Sequence, residues 1–238
     1  MSRFIRIFAV LVLFSLPAFS DWLDRFNGGK ALLVEAKYKE ARDVFLKLYN
    51  EERKGDQKPE YLAATLGALA VTNQHLGNIN DAVEQYKWQI ALLSRLPSST
   101  VEHSIAISNL ASLIMEFGRY DEAKLLLVEA SQLIEGKNTD AEAEVAYNLA
   151  IVELNLGNLL LAEVNISQAL EAWEGLYTNK SLKYLKAAIV SSRIEHENGN
   201  HQMAKDSLEK SINLLKLHWP NSGHLETAQE LRSEWFSN

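Results

Sequence analysis

Glu195, His196, Glu197 and His201 cluster in the sequence, and His218 and His224 follow; these are the side chains that could hold a metal ion. Zinc needs three or four ligands converging at about 2 Å, with a second shell that orients them. His196 and His201 flank a helix turn and do not share a helical face, and no His-Glu-x-x-His is present. Surface or joint positions explain them, so no metal and no other cofactor is expected. Acid pairs such as Glu51 and Glu52, Asp121 and Glu122, or Glu142 and Glu144 fall on helix surfaces, whereas carboxylates become acid and base only in a shared, partly buried cleft. No Gly-x-Ser-x-Gly, phosphate-cradling glycine loop or dinucleotide fingerprint occurs. The remaining chemistry is that of amides. A side chain such as Asn109 or Asn148 can donate to a peptide carbonyl and accept from a peptide N–H, which holds an extended chain without reading its sequence.

The elements that must position such residues repeat along the chain. The turn Gly118-Arg119-Tyr120-Asp121-Glu122-Ala123 has counterparts that close on Ala41, Ala82, Ala162 and Ala204, and the successive alanines are 41, 41, 39 and 42 residues apart. An internal period of that length means a solenoid. Apolar residues recur at helical spacing on both sides of each turn, and no useful strand-like alternation appears, which predicts eleven helices and no sheet. Gly77, Gly118, Gly157 and Gly199 supply the left-handed backbone that closes a helix, with Asn78 read as a cap for the helix that follows. Ser99 to Glu102 and Thr139 to Glu142 fit capping boxes, Asp56 to Pro59 is a connector, and Asn27-Gly28-Gly29 should interrupt the first helix. Leu225, Ala228, Leu231 and Trp235 form an apolar stripe on a last helix, most simply a cap for the open end of the array. Trp88, Trp173, Trp219 and Trp235 read as core or inter-repeat packing.

Arg3 and Arg6 precede an apolar run from Ile7 to Leu16, then Pro17 and Ala18-Phe19-Ser20. That order is the one of a secretory signal peptide, with cleavage expected after Ser20 and the apolar run too short to span a bilayer. Removing residues 1–20 takes away two arginines and changes the formal charge from −7 to −9. So acidic a chain, with no basic stripe, is not expected to bind nucleic acid. The chain has no cysteine, and a mature domain of this size needs no disulfide. A periplasmic or secreted protein with no membrane insertion after cleavage is the expectation, with a monomer favoured.

Twelve residues before each turn alanine stand Gly29, Ala70, Ala111, Ala150 and Ser192; four after it stand Phe45, Tyr86, Leu127, Ile166 and Leu208. Leu69, Leu110 and Leu149 precede the small residue in three units, and Ala130 and Ala169 follow seven after the turn alanine in two. Over residues 22–218 this pattern resembles the tetratricopeptide repeat, whose usual period of ~34 residues is shorter. The longer period is similar to the variety found in kinesin light chains and bacterial peptide-binding repeat proteins. The resemblance implies an asparagine two residues before the small crossing residue, facing the groove; Asn27, Asn109 and Asn148 hold that place, while Ala68 and Val190 interrupt the series.

The expected fold is therefore an all-α, right-handed α-solenoid of about five antiparallel helix pairs in a domain over residues 21–238, with repeats near 22–55, 59–96, 99–136, 139–177 and 180–218 and a capping helix over 223–236. First helices should line a concave side carrying Gln74, Asn109, Ser112, Met115, Tyr147, Asn148, Ile151 and Arg193, with Tyr147 and Ile151 as the apolar anchor. The resemblance implies a non-catalytic scaffold or adaptor with a protein or peptide partner, in envelope or secretion complex assembly. The alternatives are a metal-dependent hydrolase using His196 and His201, or a structural oligomer formed through the last helix.

Overall fold

A computed structural model describes residues 21–54, 58–136 and 140–236. These residues form eleven helices and no strand. The expected signal peptide, the middle of the expected connector and Thr139 of the second expected capping box lie outside the described residues.

The chain divides into two compact units between Ser99 and Thr100. The first holds two helix pairs: α1 (residues 21–34) with α2 (Tyr38–Glu52), and α3 (Pro59–His75) with α4 (Ile79–Leu93). The second holds three pairs and a final helix: α5 (Thr100–Met115) with α6 (Tyr120–Ile134), α7 (Asp140–Asn155) with α8 (Leu159–Leu176), α9 (Leu182–Glu197) with α10 (His201–His218), and α11 (Gly223–Phe236). Within each unit consecutive helices pack on one another, and in the second unit α5 touches α7 and α7 touches α9. The described architecture is that of an all-α solenoid.

The turn alanines Ala41, Ala82, Ala123, Ala162 and Ala204 are all 0% exposed, and the residues four further on are buried in every pair. So are the small residues twelve earlier, from Gly29 to Ser192. Two helices joined by so short a turn approach too closely for anything larger at their crossing, which is why small residues recur there and large ones recur a turn away, where the gap widens. The turns share one backbone device. Gly77, Gly118, Gly157 and Gly199 have φ of +76°, +70°, +76° and +81°, and Ala36 takes the same role at +56°. In four of the five turns the next N–H reaches back to a carbonyl five residues earlier, as in Asn158 N to Glu153 O at 2.8 Å and Lys37 N to Leu32 O at 2.9 Å.

Asn78 does not cap the helix after it. Asn78, Asn158 and Asn200 have no side-chain capping bond; their Nδ2 groups donate backwards to Asn73 Oδ1, Glu153 Oε2 and Glu195 Oε2 at 3.0, 2.8 and 2.8 Å. An acceptor on the last turn of the preceding helix thus competes successfully for the amide. Two of these acceptors are also held from the preceding pair, by Arg42 Nε to Asn73 Oδ1 at 3.0 Å and by Lys124 Nζ to Glu153 Oε1 at 2.8 Å. A true side-chain cap occurs at Ser181, whose oxygen accepts from Tyr184 N.

The first helix is continuous through Asn27-Gly28-Gly29, contrary to the interruption expected from the glycines. Tertiary contacts override the local propensity. Trp22 stacks between Phe26 and Tyr61, with ring centroids 4.8 and 4.6 Å away, and its Nε1 donates to Glu52. Arg25 makes two bonds to Glu51 at 2.7 and 2.9 Å. Gly29 is needed for packing: a Cβ there would lie 2.6 Å from the buried Phe45 ring. At the other end α11 covers the array as expected, with Leu225 and Ala228 packed with Leu185, Leu208, Ile212 and Leu215. Trp235 stacks on His196 at 4.2 Å, within its own chain.

Gly29→Ala should improve local helix propensity yet lower the unfolding free energy by about 1–2 kcal/mol, because the Phe45 ring must move. Urea denaturation checks this; equal or greater stability would show that the first pair tolerates the extra carbon.

Candidate peptide-binding face of the second unit

The first helices of three pairs, α5, α7 and α9, are neighbours in sequence order. Their joint is polar as well as apolar. Asn148 Nδ2 donates to Ser108 Oγ at 3.0 Å, tying α7 to α5, while Ser104 Oγ donates to Ala130 O at 2.9 Å within the α5/α6 pair. Asn148 is only 7% exposed, so its amide donor is committed inside the fold. Asn109 is half-buried on α5 and makes no side-chain hydrogen bond among the described residues. Two asparagines at the same repeat position therefore have different environments, and the difference lies in the neighbour: Ser108 offers Asn148 a partner one repeat back.

Tyr147 and Ile151, one turn apart on α7, are half-buried against the cluster built from Ala146, Ala150, Trp173 and Val190. The Tyr147 ring lies 5.6 Å from that of Trp173, tilted by 49°. Lys186 of α9 sits over both rings, its Nζ 4.3 Å from the Tyr147 centroid and 4.9 Å from that of Trp173, and pairs with Glu144 at 2.6 Å. Lys183 bridges Asp140 at 2.6 Å and Glu144 at 3.4 Å, and Trp173 Nε1 donates to Asp140 Oδ1 at 2.9 Å. Burial pushes the Tyr147 phenol up to about 12, helped by the Glu144 charge and opposed by Arg193. Burial would raise Asp140, but the bonds from Lys183 and Trp173 prevail and hold it below its ordinary value.

This ladder of two acids, two lysines and two rings was not read from the sequence. Its signal was the placing of Glu144 and Lys186 at nearly matching positions of successive first helices, visible only once those helices are known to be adjacent. Arg193 is half-buried on α9, near enough to influence Tyr147, and makes no ion pair or hydrogen bond among the described residues. Ser112 and Met115 are half-buried on α5. The structure thus places Asn109, Ser112, Tyr147, Ile151 and Arg193 on three neighbouring helices. Gln74 is half-buried on α3, in the first unit.

His196 serves packing. His196 is stacked on Trp235 at 12° between planes and lies 4.7 Å from the His201 ring. No group of three His, Cys, Asp or Glu side chains able to hold a metal occurs among the described residues. Trp173 is fully buried, as expected. Trp219 is 41% exposed and donates to Lys180 O at 3.0 Å. Trp88 is not in the core: it is 55% exposed on α4, with its ring 6.3 Å from that of Tyr49 in the preceding pair.

Residues 141–216, which span α7 to α10, match the tetratricopeptide repeat family. The match covers these two pairs and not the other three. The fold of the chain is similar to that of BtubC (BKLC) from P. vanneervenii, at a TM-score of 0.67 and 16% identity over 79% of this chain and 77% of that one. It is similar to pilF of Pseudomonas aeruginosa, with a TM-score of 0.61 and 16% identity over 90% and 91% of the two chains. A Rap protein complexed with competence and sporulation factor gives a TM-score of 0.74 at 13% identity over 90% of this chain, which spans 58% of that protein. No curated protein is a significant sequence match.

Asn148→Ala should cost about 1–2 kcal/mol of stability, since it removes a buried hydrogen bond and strands Ser108. Thermal denaturation beside Asn109→Ala, expected near neutral, tests the difference in their roles. Asp140, held below its ordinary value of 3.8, contributes stability that is present above that pH and lost as pH falls through the depressed value. Melting curves at pH 7 and pH 3 should therefore show Asp140→Asn less stable than wild type at pH 7, with the gap closing at pH 3.

Proposed function

We propose that the chain is an exported, non-catalytic scaffold that holds an extended protein or peptide segment against the first helices of its second unit. The observation that carries this reading is the pair Asn109 and Arg193: half-buried polar side chains with no partner among the described residues, on helices that flank the Tyr147 and Ile151 surface. An amide supplies both a donor and an acceptor to a partner's backbone, and a guanidinium supplies fixed donors for a carbonyl or carboxylate. Tyr147 and Ile151 give the apolar contact without which polar groups alone bind weakly, and Ser112 adds a hydroxyl. The repeat fold supports this, since such arrays present extended surfaces to partners. The Rap protein of similar fold was crystallised as a complex, which supports partner binding as a use of this architecture.

In this reading residues 1–20 are a signal peptide removed after Ser20, the mature protein is a periplasmic or secreted monomer, and it serves the assembly of an envelope or secretion complex. Trp22 stacks between Phe26 and Tyr61, and a cut after Ser20 leaves it in the mature chain.

The test is a crosslinked pull-down from the envelope fraction with wild type and an Asn109→Ala/Arg193→Ala variant of equal helical content. Capture of a partner by wild type and its loss by the variant is the expected result, with intact-mass analysis placing the mature N-terminus at Asp21. Equal capture by both would move the site off this face, and retention of Met1 would end the export reading.

A further inference from the structure

Position six after the turn alanine holds Lys47, Glu129, Gln168 and Lys210 in four of the pairs, solvent-facing side chains at a solvent-facing place. In the α3/α4 pair it holds Trp88, 55% exposed. Five after the turn alanine Lys87, Ser167 and Glu209 stand in three pairs, Val128 in the α5/α6 pair and Leu46 in the first. Leu46 packs at the margin of the first core cluster, and the fold brings it and Trp88 to one cleft.

That cleft opens between α2 and α4, which both lie on α3, and has a volume of about 280 Å³. Its floor is Leu66 and Leu69, each 1% exposed. Leu46, Tyr49 and Trp88 form its sides, the two rings standing 6.3 Å apart at 41° and so making a wedge, not a closed stack. Asp81 and Glu84 stand exposed at one end. Glu84 has only a solvent-exposed partner, Lys87 at 3.0 Å, and such pairs exchange readily for others. At the Tyr49 end, Arg53 lies over the ring at 5.5 Å.

We propose that this cleft is a second binding site, for a basic peptide segment that inserts one large apolar side chain between Tyr49 and Trp88 and sets its lysine or arginine against Asp81 and Glu84. Size argues for a side chain: the volume falls just below the ~300 Å³ at which pockets for whole small molecules begin. The Leu66 and Leu69 floor is apolar, and Gln85, which also lines the cleft, already accepts from Asn73 Nδ2 at 3.0 Å; the end that reaches the floor is therefore apolar, and an aromatic or long aliphatic side chain gains most from a wedge of two rings. The acids at one end require donors with positive charge, and the net charge of −7 on the whole chain draws a basic segment and repels an acidic one. Arg53 fixes the polarity: the basic flank of the ligand lies on the Asp81 side of its anchor, away from the guanidinium. Every residue of this cleft belongs to the first unit, so the site is independent of the face carrying Asn109 and Arg193.

The test titrates the terminally blocked pentapeptide Lys-Lys-Phe-Lys-Lys into the full chain and follows the tryptophan indole N–H resonances. Two control peptides replace the phenylalanine by serine or the lysines by glutamates. The expected result is a saturable shift at Trp88 with Trp173 unmoved, affinity that falls as salt rises, and a loss of at least about tenfold for the serine peptide and, read by isothermal titration calorimetry, for Trp88→Ala. Asp81→Asn/Glu84→Gln, two exposed changes that leave the fold intact, should weaken binding several-fold. No saturable shift at Trp88, equal binding by the glutamate peptide, or an affinity unchanged in both variants would overturn the proposal.

Discussion

Two helices joined by a turn of three or four residues can lie flat against each other only if a small residue stands at their crossing, and every other feature of this chain depends on that close approach. It fixes the buried alanine after each turn and the small residue twelve earlier. It also sets a large side chain a turn beyond, where the helices diverge. The left-handed residue closing the first helix belongs to the same constraint, because only that backbone reverses the chain in so few residues.

Close packing within pairs leaves the joints between pairs to do the distinguishing. In the first unit Arg42 of one pair reaches Asn73 of the next; in the second, Lys124 reaches Glu153 at the corresponding place. The same geometry is thus served once by a neutral acceptor and once by an ion pair. Between α7 and α9 the joint becomes a ladder of Asp140, Lys183, Glu144 and Lys186 under two aromatic rings. Such a joint is specific to its neighbours, since each charge is satisfied only by its partner one repeat away.

What remains unspent at these joints marks the surfaces available to partners. Asn148 is consumed by Ser108, while Asn109, at the same repeat position, keeps its amide. Lys183 and Lys186 are consumed by acids, while Arg193 is not. In the first unit Trp88 occupies a place that the other pairs give to polar residues. A repeat protein acquires its sites in this way, by departing from the repeat at positions the fold does not need.

The sequence by itself determined the repeat, its register and the helix pairs, including the weak first and fifth units, because the rule that sets them is local: a small residue, a turn, a large residue, at fixed spacing in one stretch of chain. It misjudged α1, where contacts from Glu51, Glu52, Phe45 and Tyr61 hold a helix that its glycines alone would break. It did not show that Trp88, tilted against Tyr49 of the preceding pair, stays 55% exposed, because a helical stripe tells which residues share a face and not how far a neighbour covers that face. Only the tertiary structure decided which of two equivalent asparagines is buried and which cations are paired. Those outcomes depend on side chains about forty residues away, and periodicity within one pair carries no information about what the next pair brings to the joint.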